Sequence, residues 1–119
     1  MTRVCFTLGT RPEAIKLAPV IRAFQASPKF ATQVVLTGQH REMVAQVMDI
    51  FGLKADRDLD IMQHQQSLTD ITQRSLQGLE RLFQEIKPQL VIVQGDTTTA
   101  FAAALAAFYQ QIPIGHVEA

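Results

Sequence analysis

Short apolar runs alternate with stretches of helical spacing from one end of the chain to the other. Residues 4–8, 33–37, 90–93 and 112–117 are dense in Val, Ile, Leu and Phe, and Gly9, Gly38 and Gly95 close the first three. Runs that are apolar on both faces belong to buried parallel strands, which need crossovers, usually helical, between them. The intervening segments supply those helices. Ile15, Leu17, Ala18, Ile21 and Phe24 form a stripe behind Pro12, a residue suited to a first helical turn; Pro19 is expected to bend that helix. Val44, Val47, Met48 and Phe51 repeat the pattern up to Gly52. Ser67 can cap a third helix together with Asp70, with Leu68, Ile71, Leu79, Leu82, Phe83 and Ile86 on its core face and Pro88 at its end. Residues 97–109 carry Ala, Phe and Leu on nearly every side, which predicts a buried helix. Residues 53–66 lack periodicity and are read as a connection, with a short strand expected at 59–62.

Strands alternating with helices in this order predict an α/β fold: a doubly wound, Rossmann-like parallel sheet with right-handed crossovers. The 119 residues, 47% of them hydrophobic, suffice for one core and not for two ordinary domains. Ligands of such sheets bind outside the carboxyl ends of the strands, so the turns after residues 8, 37, 93 and 117 are expected to share one rim. The sequence stops two residues after the last predicted strand, which leads us to expect a segment of a longer chain.

Eleven basic and eleven acidic residues balance, so no excess positive charge points to nucleic acid or an anionic membrane. No apolar stretch approaches the length that crosses a bilayer, and no secretory leader pattern follows Met1. The single cysteine, Cys5, cannot close an intrachain disulfide, which fits a reducing cytoplasm, and no Cys/His cluster has metal-ligand spacing. Cys5 and Met48, with Met43, are read as core, and His64 as loop surface.

The rim residues carry the chemistry. GTRPEAIK (9–16) puts Arg11 and Lys16 beside a helix N-terminus, where an anion such as a phosphate is favoured, although both cations can equally be solvated. Arg11 and Ala14 stand where a dinucleotide fingerprint needs glycines, and the block is no Walker loop. In QGDTTTA (94–100), Asp96 ends a buried strand immediately before a helix, an address for a catalytic carboxylate and equally for an N-cap. Glu118 closes the next strand, and two carboxyls at one rim can divide acid and base work. His116 alternates with Glu118 and is expected on the same face of the strand. GQHRE (38–42) adds hydrogen-bonding side chains.

Taken together, GTRPEAIK (9–16), GQHRE (38–42), GDTTT (95–99) and PIGHVEA (113–119) resemble the non-hydrolysing UDP-N-acetylglucosamine 2-epimerases. The resemblance implies a two-domain enzyme of the GT-B type, with residues 1–119 forming most of the N-terminal Rossmann-like domain and the rest of that domain and the UDP-gripping C-terminal domain lying beyond. It implies interconversion of UDP-N-acetylglucosamine and UDP-N-acetylmannosamine by elimination of UDP and its re-addition, without metal or redox cofactor. Asp96 and Glu118 are then the catalytic carboxylates, with Arg11, Lys16 and His116 on the UDP-sugar. A homodimer in the cytoplasm serving polysaccharide synthesis is implied for the full-length enzyme, and inactivity for the segment alone. Some family members bind UDP-N-acetylglucosamine as an activator through the block that here holds Gln39, His40 and Glu42. Glu42 and Gln65 replace a glutamine and an arginine of that pattern, which adds an acid and removes a cation, and so argues against activation. The rival activities are a hydrolysing epimerase, a GT-B glycosyltransferase, and a nucleotide-sugar-binding module without turnover.

Overall fold

The structure is a computed structural model and describes residues 1–118; Ala119, the last residue of the PIGHVEA block, lies outside the described residues. The strands are β1 (Thr2–Leu8), β2 (Phe30–Leu36), β3 (Arg57–Asp58), β4 (Leu90–Gln94) and β5 (Ile114–Val117). The helices are α1 (Arg11–Ala26), α2 (Arg41–Ile50), α3 (Leu68–Ile86) and α4 (Thr98–Tyr109). All strand pairs are parallel, in the order β3-β2-β1-β4-β5. β1 is central, paired with β2 from Thr2↔Phe30 to Leu8↔Leu36 and with β4 from Val4↔Leu90 to Phe6↔Ile92.

Strand alternation splits the core into two layers. Val4, Phe6, Leu8, Val34, Leu36 and Ile92 point towards Leu17, Ile21, Val44 and Met48 of α1 and α2. Their sequence neighbours Cys5, Val35, Val91 and Val93 point the other way, onto Leu79, Leu82, Phe83 and the alanines of α4. Helices on both faces make this the doubly wound Rossmann-like sheet expected. From β1 the chain proceeds to β2 and β3 on one side, then crosses to β4 and β5 on the other. The switch point therefore lies between β1 and β4, and the crevice at their carboxyl ends is where such a sheet receives ligands.

The helix boundaries follow local chemistry. Ser67 Oγ accepts from the Asp70 N–H at 3.0 Å and Asp70 returns the bond to Ser67 N–H at 3.1 Å, the expected capping box. Lys87 turns left-handed after α3, and Pro88 follows. α1 runs through Pro19, whose ring lies on an exposed position.

Five expectations are corrected. The third strand is Arg57–Asp58, ahead of 59–62, because Asp60 has a φ of 50° and breaks the extended backbone there. The apolar character of Leu59 and Ile61 comes from packing beyond the strand: Ile61 is buried and Leu59 packs on the α3/α4 layer. Leu68 is exposed in the first turn of α3, before Ile71 reaches the core, and Ile15 and Met43 are likewise exposed, Ala14 taking the buried position in α1. Helix α4 is buried on one side only. Ala102, Ala103, Ala106 and Ala107, small enough for close approach, face the sheet and α3, while Phe101, Phe108 and Tyr109 are exposed.

No helix of the described residues is long and apolar enough to cross a membrane. Burial pushes the Cys5 thiol up to about 12, so it stays protonated and unreactive at neutral pH.

Candidate active site

Gly9 ends β1 where the edges of three elements meet. A Cβ there would stand 2.2 Å from Thr37 Oγ1 and 2.4 Å from Thr99 Oγ1, so only glycine lets the ends of β1 and β2 and the start of α4 touch. The two hydroxyls lie 3.2 Å apart, and Thr99 donates onward to Gln39 Oε1 at 2.9 Å. The Gly9 carbonyl accepts the His40 N–H at 2.8 Å, which brings the second turn to the first.

The crevice between β1 and β4 has a carboxylate beneath it. Glu13, in the first turn of α1, is 1% exposed. Its Oε1 accepts the backbone N–H groups of Gly9 at 2.7 Å and Thr10 at 3.1 Å, and its Oε2 accepts the Thr97 hydroxyl. Thr97 Oγ1 in turn accepts from Ala100 N–H at 3.1 Å and so caps α4. One buried side chain thus ties the first turn to the third. Sequence reasoning passed over Glu13 as one letter of a motif; the signal available was Thr10 followed three residues later by Glu13, the spacing at which a glutamate reaches back to the N-cap N–H.

Arg11 is the first residue of α1 and exposed, and it forms no ion pair among the described residues. Lys16 lies further along the same helix, its Nζ donating to both carboxylate oxygens of Glu118 at 2.7 Å. Both partners are about half exposed. The third and fourth turns are joined directly. Gly95 N–H donates to Val117 O at 3.1 Å, and His116 Nε2 donates to Gly95 O at 2.6 Å, which fixes the proton on that nitrogen because a carbonyl only accepts. Asp96 and Glu118 each follow immediately after one member of the Gly95–Val117 bond. Asp96 is exposed, and the cap of α4 is Thr97, so the Asp96 carboxylate is not engaged as the N-cap. Asp96, Thr97, Phe101 and His116 line an open cleft of about 320 Å³.

The shared face expected for His116 and Glu118 is not found. His116 lies over the α4 layer, opposite Val93 in the register, whereas Glu118 adopts a φ of 51° and reaches Lys16 on α1. Alternation of side chains holds only while the backbone is extended, and the left-handed residue ends it. The 38–42 block also divides. Gln39 is half-buried against Thr99, whereas His40 and Glu42 are exposed at the start of α2. Arg41 is held by Asp58 at 3.1 Å and Asp60 at 3.3 Å.

As a class, a parallel sheet covered on both faces, with charged turns gathered at its carboxyl edge, is a Rossmann-like α/β domain. A family model described as UDP-N-acetylglucosamine 2-epimerase matches residues 22–119. The UDP-N-acetylglucosamine 2-epimerase of Escherichia coli (strain K12) is 54% identical over 117 residues, covering 98% of this chain and 31% of that protein. Among solved structures, UDP-GlcNAc 2-epimerase from Neisseria meningitidis bound to UDP-GlcNAc has a TM-score of 0.93 at 52% identity, covering 99% of this chain and 32% of that one. UDP-GlcNAc 2-epimerase from Methanocaldococcus jannaschii, in complex with UDP-GlcNAc and UDP, has a TM-score of 0.92 at 34% identity, covering 99% and 33%. This chain belongs to the UDP-N-acetylglucosamine 2-epimerase family, and it spans about a third of the length of the relatives it matches.

Proposed function

We propose that the protein containing this chain interconverts UDP-N-acetylglucosamine and UDP-N-acetylmannosamine, with residues 1–119 as most of its N-terminal domain and a second, UDP-binding domain supplied by the remaining length. What supports the reading is a chain 52% identical to an epimerase structure bound to UDP-GlcNAc, in which Lys16 pairs with Glu118 while Asp96 and His116 line one cleft at the carboxyl edge of the sheet.

A hydrogen on C2 of the sugar is weakly acidic. Departure of UDP from C1 builds positive charge beside it and makes it removable. The C1–O bond electrons leave with UDP, a carboxylate takes the C2 proton, and the electrons of the C2–H bond form the C1–C2 double bond of 2-acetamidoglucal. In the return direction a carboxylic acid delivers a proton to the opposite face of C2, and a UDP oxygen re-forms the bond at C1. Asp96 and Glu118 are the carboxylates of this scheme. Arg11 and Lys16 meet the diphosphate, and His116, bonded to the Gly95 carbonyl, supports the third turn while lining the cleft.

The Lys16–Glu118 pair suits this role. A half-exposed ion pair is worth only about 0–1 kcal/mol, so an arriving diphosphate can replace Glu118 on Lys16 at little cost and leave the carboxylate available for proton transfer. A cytoplasmic homodimer belongs to the same reading and rests on the family resemblance; light scattering on the full-length protein tests it.

Product analysis tests the function. Full-length protein incubated with UDP-N-acetylglucosamine is expected to yield UDP-N-acetylmannosamine. Free N-acetylmannosamine would instead indicate a hydrolysing epimerase, transfer to an acceptor a glycosyltransferase, and binding without turnover a regulatory module.

A further inference from the structure

We infer that Glu13 is a positioning residue for the reaction proposed above, on which this inference rests, holding the Arg11 turn and the Asp96 turn in fixed register across the β1–β4 crevice. Three observations carry it. Glu13 is 1% exposed, and among the described residues no cation pairs with it. Burying a carboxylate without a counter-ion is unfavourable unless hydrogen bonds replace its water, and here three donors do so. Those donors come from both walls of the crevice: Gly9 and Thr10 on the β1 side, Thr97 on the β4 side.

An ordinary capping glutamate serves only its own helix and can stay in solvent. Glu13 also takes the hydroxyl that caps α4, so the starts of two helices on opposite faces of the sheet are fixed to one side chain. Arg11 lies two residues before Glu13 on the same helical turn, and Asp96 immediately precedes Thr97. A shift of either turn is therefore passed directly to a side chain assigned to the substrate. Such shifts are costly, since a misplacement of about 1 Å can lower a rate by about a hundredfold.

The test uses the full-length enzyme, four single variants and one double variant, with rates expressed per folded protein below each melting temperature. Thr97→Val removes the cross-crevice bond together with the cap of α4 and leaves Glu13 in place; Thr97→Ser keeps the hydroxyl and both bonds. Glu13→Ala removes the tie altogether. Glu13→Gln keeps an acceptor for Gly9 and Thr10 and offers its amide to Thr97 Oγ1. Thr97→Val and Glu13→Ala are each expected to lower kcat at least about tenfold, while Thr97→Ser and Glu13→Gln stay within about threefold of the parent. In the double variant Glu13→Ala/Thr97→Val the combined loss is expected to be smaller than the product of the two single losses, because the variants share the Glu13–Thr97 bond while each also removes bonds of its own. Unchanged kcat in Thr97→Val, additive losses in the double variant, or a Glu13→Gln enzyme as slow as Glu13→Ala would each overturn the inference. If Glu13→Ala does not fold, Thr97→Val against Thr97→Ser and the Glu13→Gln rate decide alone. A parent protein without epimerase activity would overturn the functional reading itself, and this inference with it.

Discussion

The two halves of the sheet's carboxyl edge are built on different principles. At the β1–β4 crevice, Gly9, Glu13, Thr37 and Thr99 are buried and hydrogen-bonded to one another or, for Gly9, packed where no further atom fits. At the β5 end, His116 and Glu118 are exposed, and Glu118 is held by a single half-exposed ion pair at a left-handed residue. The first region fixes geometry, and the second presents charge that can be redistributed when a ligand arrives. The reaction proposed above, which holds a diphosphate while a carboxylate exchanges protons, would use both properties.

Substitutions should separate the two regions. The largest effect is expected at the carboxylates. Asp96→Asn or Glu118→Gln in the full-length enzyme should lower turnover at least about a hundredfold, with little change in melting temperature because both side chains are exposed; steady-state rates beside thermal melts check this. Gly9→Ala should do the reverse, acting on the fold first. Its methyl would overlap Thr37 and Thr99, and overpacking of this kind costs about 1–3 kcal/mol of stability, readable by denaturant unfolding.

A further contrast comes from pH. The unfolded chain's Cys5 thiol ionises near 9, whereas the buried thiol stays protonated up to about 12. The unfolded state therefore loses the proton first, and stability falls as pH rises through that window, by about 1.4 kcal/mol per pH unit from this group. Unfolding curves of Cys5→Ala should show a flatter fall between those limits. The smallest effect is expected at Lys16. Lys16→Ala should cost under about 1 kcal/mol of stability, while raising the KM for the UDP-sugar in full-length enzyme kinetics.

Much of this architecture could be read from residue order. Runs buried on both faces, closed by Gly9, Gly38 and Gly95, required a parallel sheet, and Ser67 with Asp70 marked the start of α3 to the residue. The motif turns could be placed at one edge because parallel strands all deliver their carboxyl ends there. The Thr10–Glu13 spacing marks a cap, but the burial of Glu13 and its bond to Thr97 were not legible, since a glutamate in a first helical turn ordinarily faces water and Thr97 lies 84 residues away. Nor was the face of Glu118, because its left-handed backbone leaves no mark in the letters around it. In α4, size rather than hydrophobicity decides which side is buried: the alanines permit close approach to the sheet and α3, and the bulkier aromatic residues are exposed.

Proton exchange at C2 reads the proposed elimination itself. Full-length protein is incubated with UDP-N-acetylglucosamine in D2O and followed by proton NMR. UDP-N-acetylmannosamine is expected to form with deuterium at C2, and Asp96→Asn and Glu118→Gln to suppress both label and product. Product retaining its original C2 hydrogen, or formed at normal rates by both variants, would contradict it.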